Sequence, residues 1–253
     1  MTQTDRVETA LQALACLDLT NLEDGCTPAD IETLCARAQT PHGPVAAVCI
    51  WPRFVLQAKD LLADTPVKVA TVVNFPGGDK PLEEVLIETD QAMVDGADEV
   101  DVVIPYRQIR ERRNDVAAQL IQVREATMGA TLKAILETGE LKDPELIREA
   151  ASTAIIVGAD FIKTSTGKVP VNATPEAAAI MLKVIAERGG KTGFKAAGGI
   201  RTLDDAAVYL DLAGEIVGPD WAAPDTFRFG ASGLLDALLA EIDGRPAAAQ
   251  TGY

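Results

Sequence analysis

Eight short, nearly continuous apolar runs recur along this chain, at residues 13–19, 45–50, 67–73, 99–104, 131–136, 160–163, 193–197 and 226–229. Between them, apolar residues repeat at helical spacing near 28–38, 53–63, 81–95, 106–128, 143–157, 175–189, 203–212 and 233–242. Strand then helix, eight times in 253 residues, predicts an α/β protein built as a single-domain (β/α)8 TIM barrel. Runs this apolar are what strands covered on both faces require. A doubly wound open sheet is the alternative, but it ordinarily opens with a glycine-rich turn, and no G-x-G-x-x-G follows the first run. Helix starts are marked in the sequence. Pro28, Pro52, Pro81, Pro144 and Pro175 stand where first-turn prolines belong, and Thr27, Asp143 and Thr174 precede three of them as N-caps. The barrel is expected over 1–243, with 244–253, GRPAAAQTGY, as a flexible tail.

What breaks the pattern is charge inside the runs. Lys163 sits in ADFIKTS, Lys195 in GFKAAG, Lys133 in TLKAILE and Asp101 in DEVDVV. Alternate strand residues share a face, so Phe161 goes with Lys163, Lys195 with Ala197, Lys133 with Ile135 and Glu137, and Asp101 with Glu99 and Val103. If these are the inner faces, Asp101, Lys133, Lys163 and Lys195 converge on one cavity. A lysine amine is nucleophilic only when neutral, and its ordinary pKa is about 10.4. Desolvation and a neighbouring cation both lower it. A neutral amine can attack a carbonyl, and the resulting protonated imine makes a neighbouring C–C bond easier to break. Asp101 can move the protons. The competing reading is an interior ion-pair layer, with Asp101 and Glu137 neutralising two lysines.

A phosphate site is suggested by two glycine-rich turns. KAAGGIRTLDDA ends the seventh run with Gly198 and Gly199, and FRFGASG ends the eighth with Gly230 and Ser232. Barrels often hold phosphate between the loops after strands 7 and 8. The helix starting near Thr202 would favour an anion there. Arg201 either adds charge or pairs with Asp204 or Asp205.

A formal net charge of −15 argues against a nucleic-acid partner, so an anionic substrate needs a local positive site. No apolar run approaches the roughly 20 residues of a membrane span, and MTQTDRVETA lacks a secretory pattern. Cys16, Cys26, Cys35 and Cys49 form no C-x-x-C pair and read as free thiols. A cytoplasmic protein without membrane association is expected. His42 is the sole histidine and lies in a loop, so no metal is expected and a bond-breaking chemistry here should use an imine.

The motifs LDLT (17–20), VCIWPRF (48–54), NFPGG (74–78), GADEVDVVIPY (96–106), LKAILETGEL (132–141), GADFIKTSTGK (158–168), VNATPE (171–176), GFKAAGGIRT (193–202) and RFGAS (228–232) cover nearly the whole chain. In them it resembles the deoxyribose-phosphate aldolases, class I enzymes that work without metal or organic cofactor. The resemblance implies reversible cleavage of 2-deoxy-D-ribose 5-phosphate to D-glyceraldehyde 3-phosphate and acetaldehyde, in deoxyribonucleoside catabolism. It implies that Lys163 forms the imine, Lys195 lowers the pKa of Lys163 and serves in proton transfer, Asp101 shuttles protons, and Lys133 holds Asp101. Asp18 and Thr20 would line the substrate side of the first strand, with Cys49 near the reactive lysine. Gly167, Lys168, Gly198, Gly199 and Ser232 would surround the phosphate. A homodimer is compatible with the family.

The chain departs from the family's commonest pattern at Ala196, where a proline often follows the strand lysine, and at Gly233, where a second serine is frequent. Tyr253 matches a C-terminal tyrosine that in some relatives is thought to reach the site. Two other functions remain: an imine-forming aldolase of a different substrate, and a silent phosphosugar-binding barrel.

Overall fold

The computed structural model describes residues 2–245; Tyr253 and the expected tail beyond Arg245 lie outside them. Eight parallel strands close into a barrel: β1 Leu17–Asn21, β2 Ala47–Ile50, β3 Lys68–Val73, β4 Glu99–Val103, β5 Thr131–Ile135, β6 Phe161–Lys163, β7 Gly193–Ala197 and β8 Phe227–Ala231. Each pairs with its sequence neighbours, and β8 returns to β1 through Leu17↔Phe229, Asp18↔Gly230 and Leu19↔Ala231. The helices are α1 Gln3–Ala15, α2 Pro28–Arg37, α3 Val55–Leu61, α4 Leu82–Val94, α5 Ile109–Ala126, the single turn α6 Thr138–Leu141, α7 Pro144–Ile156, α8 Pro175–Glu187, α9 Leu203–Ile216 and α10 Leu234–Ile242. A two-residue hairpin, Gln39–Thr40 with Gly43–Pro44, precedes β2.

The start signals act as their chemistry dictates. Thr27, Asp143 and Thr174 each accept a backbone N–H of the first turn through a side-chain oxygen, and Pro28, Pro144 and Pro175 stand at the first helical turn. Pro52 instead opens a 3₁₀ turn, Pro52–Phe54, ahead of α3, and Pro81 is the N-cap of α4.

The chain's start departs from expectation. The run at 13–19 divides between α1 and β1, with only Cys16 between them. Thr2 and Asp5 close a capping box that starts α1, and Arg6 ties that helix to Asp204 of α9 and Glu241 of α10. On the outside of the sheet, Phe194, Phe227 and Phe229 stack in sequence, with ring centroids 5.6 Å and 4.9 Å apart. The inside of the same strands carries the ions.

Candidate active site

Period-two alternation aims seven ionisable side chains into the barrel: Asp18 from β1, Glu99 and Asp101 from β4, Lys133 from β5, Lys163 from β6, Lys195 from β7 and Arg228 from β8. All are buried, and strand register sets their neighbours: Asp101 opposite Lys133, Lys163 opposite Lys195, and Lys195 opposite Arg228.

Asp101 is the hub. Its Oδ2 accepts from both Lys163 Nζ and Lys195 Nζ at 2.8 Å, and its Oδ1 accepts from Lys133 Nζ at 2.9 Å. The two amines that share one oxygen therefore lie within two hydrogen-bond lengths of each other. Lys195 Nζ also donates to Asp18 Oδ2 at 2.5 Å, and Lys133 Nζ donates to Glu99 Oε2. Arg228 donates to Asp18 Oδ1 at 2.6 Å and to Glu99 Oε1 at 2.8 Å. A Cβ at Gly230 would lie 3.0 Å from Lys195 Cε, so glycine leaves room for the lysine stem.

These contacts divide the lysines. Burial depresses Lys163, and Asp101 only partly opposes that while Lys195 reinforces it, so its pKa falls below the ordinary lysine value. Burial would depress Lys195 too, but Asp101 and Asp18 outweigh it and hold that ammonium well above the ordinary value. Lys133 is raised for the same reason: Asp101, Glu99 and Asp18 outweigh burial. Burial would lift Asp101, yet the charges of Lys133, Lys163 and Lys195 hold it well below the usual carboxylate range. Among these buried amines, the one biased toward its neutral form is Lys163.

The expected neighbours fall out as follows. The thiol of Cys49 is buried and pushed up by that burial, and it interacts with Lys163 and Lys195. Thr20, opposite Cys49 in register, is half-buried and donates its hydroxyl to the Asp18 carbonyl at 2.8 Å. Asp18 faces the barrel interior, where its two carboxylate oxygens accept from Lys195 and Arg228. In the competing reading Glu137 would neutralise a lysine, but it forms no ion pair among the described residues, and the lysine whose charge it feels is Lys163. Glu137 lies past the end of β5 at φ 54°, and its carboxylate takes the hydroxyl and the N–H of Thr166, at 2.6 Å and 3.2 Å. The sequence reading gave no role to Glu99, although it shares the face of Asp101, nor to Arg228, which stands two residues before Gly230 and so on the same face.

The glycine turns sit at the C-terminal mouth. Gly167, Gly198 and Gly199 adopt φ of 85°, 82° and 83°. A Cβ at Gly198 would meet the Asn172 side chain at 2.7 Å, so both its backbone angle and its surroundings select glycine. Lys168 is exposed beyond Gly167 and its N–H donates to Thr166 Oγ1. The two helix starts differ from each other. At α9 the N–H groups of Arg201 and Thr202 donate to Asp205, whose own N–H donates to Thr202 Oγ1, so a carboxylate already occupies that end. At α10 the N-cap is Gly233 with no side-chain cap, beside exposed Ser232. Of the two helix starts, the one whose N–H groups no side chain caps is that of α10.

At the opposite, N-terminal mouth a cavity of about 480 Å³ lies beneath the ions, lined by Glu99 and Arg228 with Phe161, Lys68, Lys191 and Asp225. Among the described residues, no group of three or more His, Cys, Asp or Glu is placed to hold a metal ion, and no helix is long and apolar enough to cross a membrane. The four cysteines are free and buried.

Comparison with known proteins agrees with this geometry. Residues 12–239 match the model of the DeoC/LacD family of aldolases. A deoxyribose-phosphate aldolase of Agrobacterium fabrum (strain C58 / ATCC 33970) is 55% identical over 250 residues, covering 97% of this chain and 96% of that one. A crystal structure from Toxoplasma gondii ME49, provisionally assigned as a deoxyribose-phosphate aldolase in its apo form, superposes with TM-score 0.86 at 27% identity, over 97% of this chain and all of that one. The tetrameric deoxyribose phosphate aldolase of Aeropyrum pernix gives TM-score 0.76 at 25% identity, over 95% and 98% of the two chains. With a closed parallel barrel, a family match over most of its length and a relative this similar, the chain belongs to the DeoC/LacD family of aldolases.

Proposed function

We propose that this enzyme is a class I aldolase that reversibly cleaves 2-deoxy-D-ribose 5-phosphate to D-glyceraldehyde 3-phosphate and acetaldehyde, a step of deoxyribonucleoside breakdown. The observation that carries the reading is the sharing of Asp101 Oδ2 by Lys163 and Lys195, one amine biased toward neutrality and the other held as a cation. The name and similarity of the Agrobacterium relative support the substrate.

In this mechanism the neutral Lys163 amine attacks the C1 aldehyde of the open-chain sugar. Protons pass to the carbinolamine oxygen, water leaves, and a protonated imine forms. Asp101 accepts the proton of the C3 hydroxyl, through a water, as the C2–C3 bond breaks; the bonding electrons flow into the iminium and give an enamine. Glyceraldehyde 3-phosphate departs. The enamine is protonated at C2, and water releases acetaldehyde and regenerates the amine. Lys195 supplies fixed positive charge beside the reacting nitrogen and serves in proton transfer, and Lys133 holds Asp101 in place. Thr20 and Cys49 border the sugar. Gly167, Lys168, Gly198, Gly199, Ser232 and the start of α10 cradle the phosphate. Asp18 acts from below, through Lys195.

Reductive trapping tests this directly. Incubation with acetaldehyde or with the deoxyribose phosphate, followed by borohydride, should leave a stable adduct that peptide mass spectrometry places on Lys163. Turnover of the deoxyribose phosphate without an adduct on Lys163 would overturn the mechanism. Binding without turnover or adduct would favour a silent phosphosugar barrel.

A further inference from the structure

Six of the seven inward-facing ions on the strands close into a ring of alternating charge. Asp18 joins Lys195 at 2.5 Å, Lys195 joins Asp101 at 2.8 Å, and Asp101 joins Lys133 at 2.9 Å. Lys133 joins Glu99, Glu99 joins Arg228 at 2.8 Å, and Arg228 returns to Asp18 at 2.6 Å. Every member has two neighbours of opposite sign, and the ring balances at three against three. Lys163 stands outside it, attached only through the Asp101 oxygen that Lys195 already uses.

We infer that Glu99 and Arg228 are positioning residues of the reaction: by closing the ring, they leave Lys163 the one interior amine without a carboxylate of its own. Neither is placed to touch substrate, since both line the N-terminal mouth, at the far end of the barrel from the loops. Their effect is on charge. With Arg228 present, the ring itself holds no net charge that would draw a proton onto Lys163. Without Arg228, three carboxylates would face Lys133 and Lys195 alone, and balance would then call for a protonated Lys163. Removing Glu99 unbalances the ring in the opposite sense.

The groups that face Lys163 allow this bookkeeping. They are Asp18 on β1, the buried thiol of Cys49 on β2, Glu99 and Asp101 on β4, Lys133 on β5 with Glu137 just beyond it, Lys195 on β7 and Arg228 on β8. In register with them, β3 places Ala70 and Val72. The thiol is held neutral by burial, and the Glu137 carboxylate, bonded to Thr166, is common to the wild type and to ring variants, so a change of charge within the ring acts on Lys163 by itself.

The inference rests on Lys163 forming an imine, and one experiment separates the two. Acetaldehyde is trapped with cyanoborohydride across a pH series, and the adduct on Lys163 is quantified by mass spectrometry. Arg228→Met should move the midpoint of labelling up by about one pH unit, and Glu99→Gln should move it down by a similar amount. Arg228→Lys should keep the midpoint near that of the wild type. A structural role alone would lower the yield of both variants without moving their midpoints in opposite directions. If the wild type is labelled at Lys163 but the midpoints stay put, or move together, the inference fails while the aldolase reading stands. No label on Lys163 in the wild type sinks the aldolase mechanism itself. Should Arg228→Met not fold, the near-isosteric Glu99→Gln decides alone, and a midpoint that does not fall overturns the proposal.

Discussion

The lower interior of the barrel and its upper rim are built from the same strands but treat charge differently. Below, Asp18, Glu99, Lys133 and Arg228 are each held by two or more opposite charges, and both oxygens of each carboxylate are in use. At the rim, Lys163 has half of one oxygen, and the carboxylates above it, Glu137 and Asp205, are bonded to Thr166 and to backbone N–H groups rather than to a lysine. The difference teaches where a buried charge is scaffold and where it is reagent. An ion with all its partners keeps its proton state; an amine with a shared partner can give its proton up.

The largest effect should come from the rim itself. Lys163→Ala removes the under-partnered amine, and turnover of the deoxyribose phosphate should fall on the order of 10⁴-fold, with the fold retained by circular dichroism. A variant within tenfold of the wild type would erase the distinction between rim and ring. The next effect tests the oxygen that both regions share. Lys195→Leu leaves Asp101 to Lys163 alone among the two amines at that oxygen. The attraction then goes unopposed, the Lys163 pKa rises, and the neutral fraction at a given pH falls. The pH–rate profile should shift upward by about one unit, with a roughly tenfold loss at neutral pH. An unmoved profile would mean that Lys195 contributes nothing to the state of Lys163. The smallest effect concerns the rim alone. Gly233→Asp places a carboxylate at the start of α10, matching what Asp205 already does at α9. As an N-cap it should hold or slightly raise the melting temperature. By occupying the anion site it should raise KM for the phosphorylated sugar about tenfold, leaving KM for unphosphorylated deoxyribose unchanged. Equal KM changes for both sugars would remove phosphate from that helix start.

Much of this arrangement is written locally in the chain, and the parts that are not share one cause. The strand–helix alternation survives because each buried strand needs its own apolar run, and the helix starts survive because caps are short-range chemistry: Thr27 with Asp30, Thr174 with the N–H of Ala177. Lys133, Lys163, Lys195 and Asp101 are legible because a charge inside an apolar run is conspicuous. The boundary between α1 and β1 is not, since Ala13, Leu14, Cys16 and Leu17 form one uninterrupted apolar stretch whichever element owns them. Glu137 was read onto the lysine face by period two, but the chain leaves the strand at Ile135 and the alternation ends there. Arg228 hides among aromatic residues in FRFGAS, and its partners Asp18 and Glu99 lie 210 and 129 residues away. A ring closed across five strands has no local signature; only barrel closure brings its ends together.

The single oxygen of Asp101 that serves two lysines has a consequence for how such a site can change over evolutionary time. Its members are not independent characters. Replacing any one of them alters the proton state of the others, so a lineage drifting toward new chemistry would pass through forms in which the reactive amine is silenced. Variation is cheaper at positions that carry no charge, such as Ala196 on the outer face of β7 and Gly233 in a mouth loop, than among the ions beneath. Diversity in this family should accordingly collect in what the enzyme holds, and seldom in how it cuts.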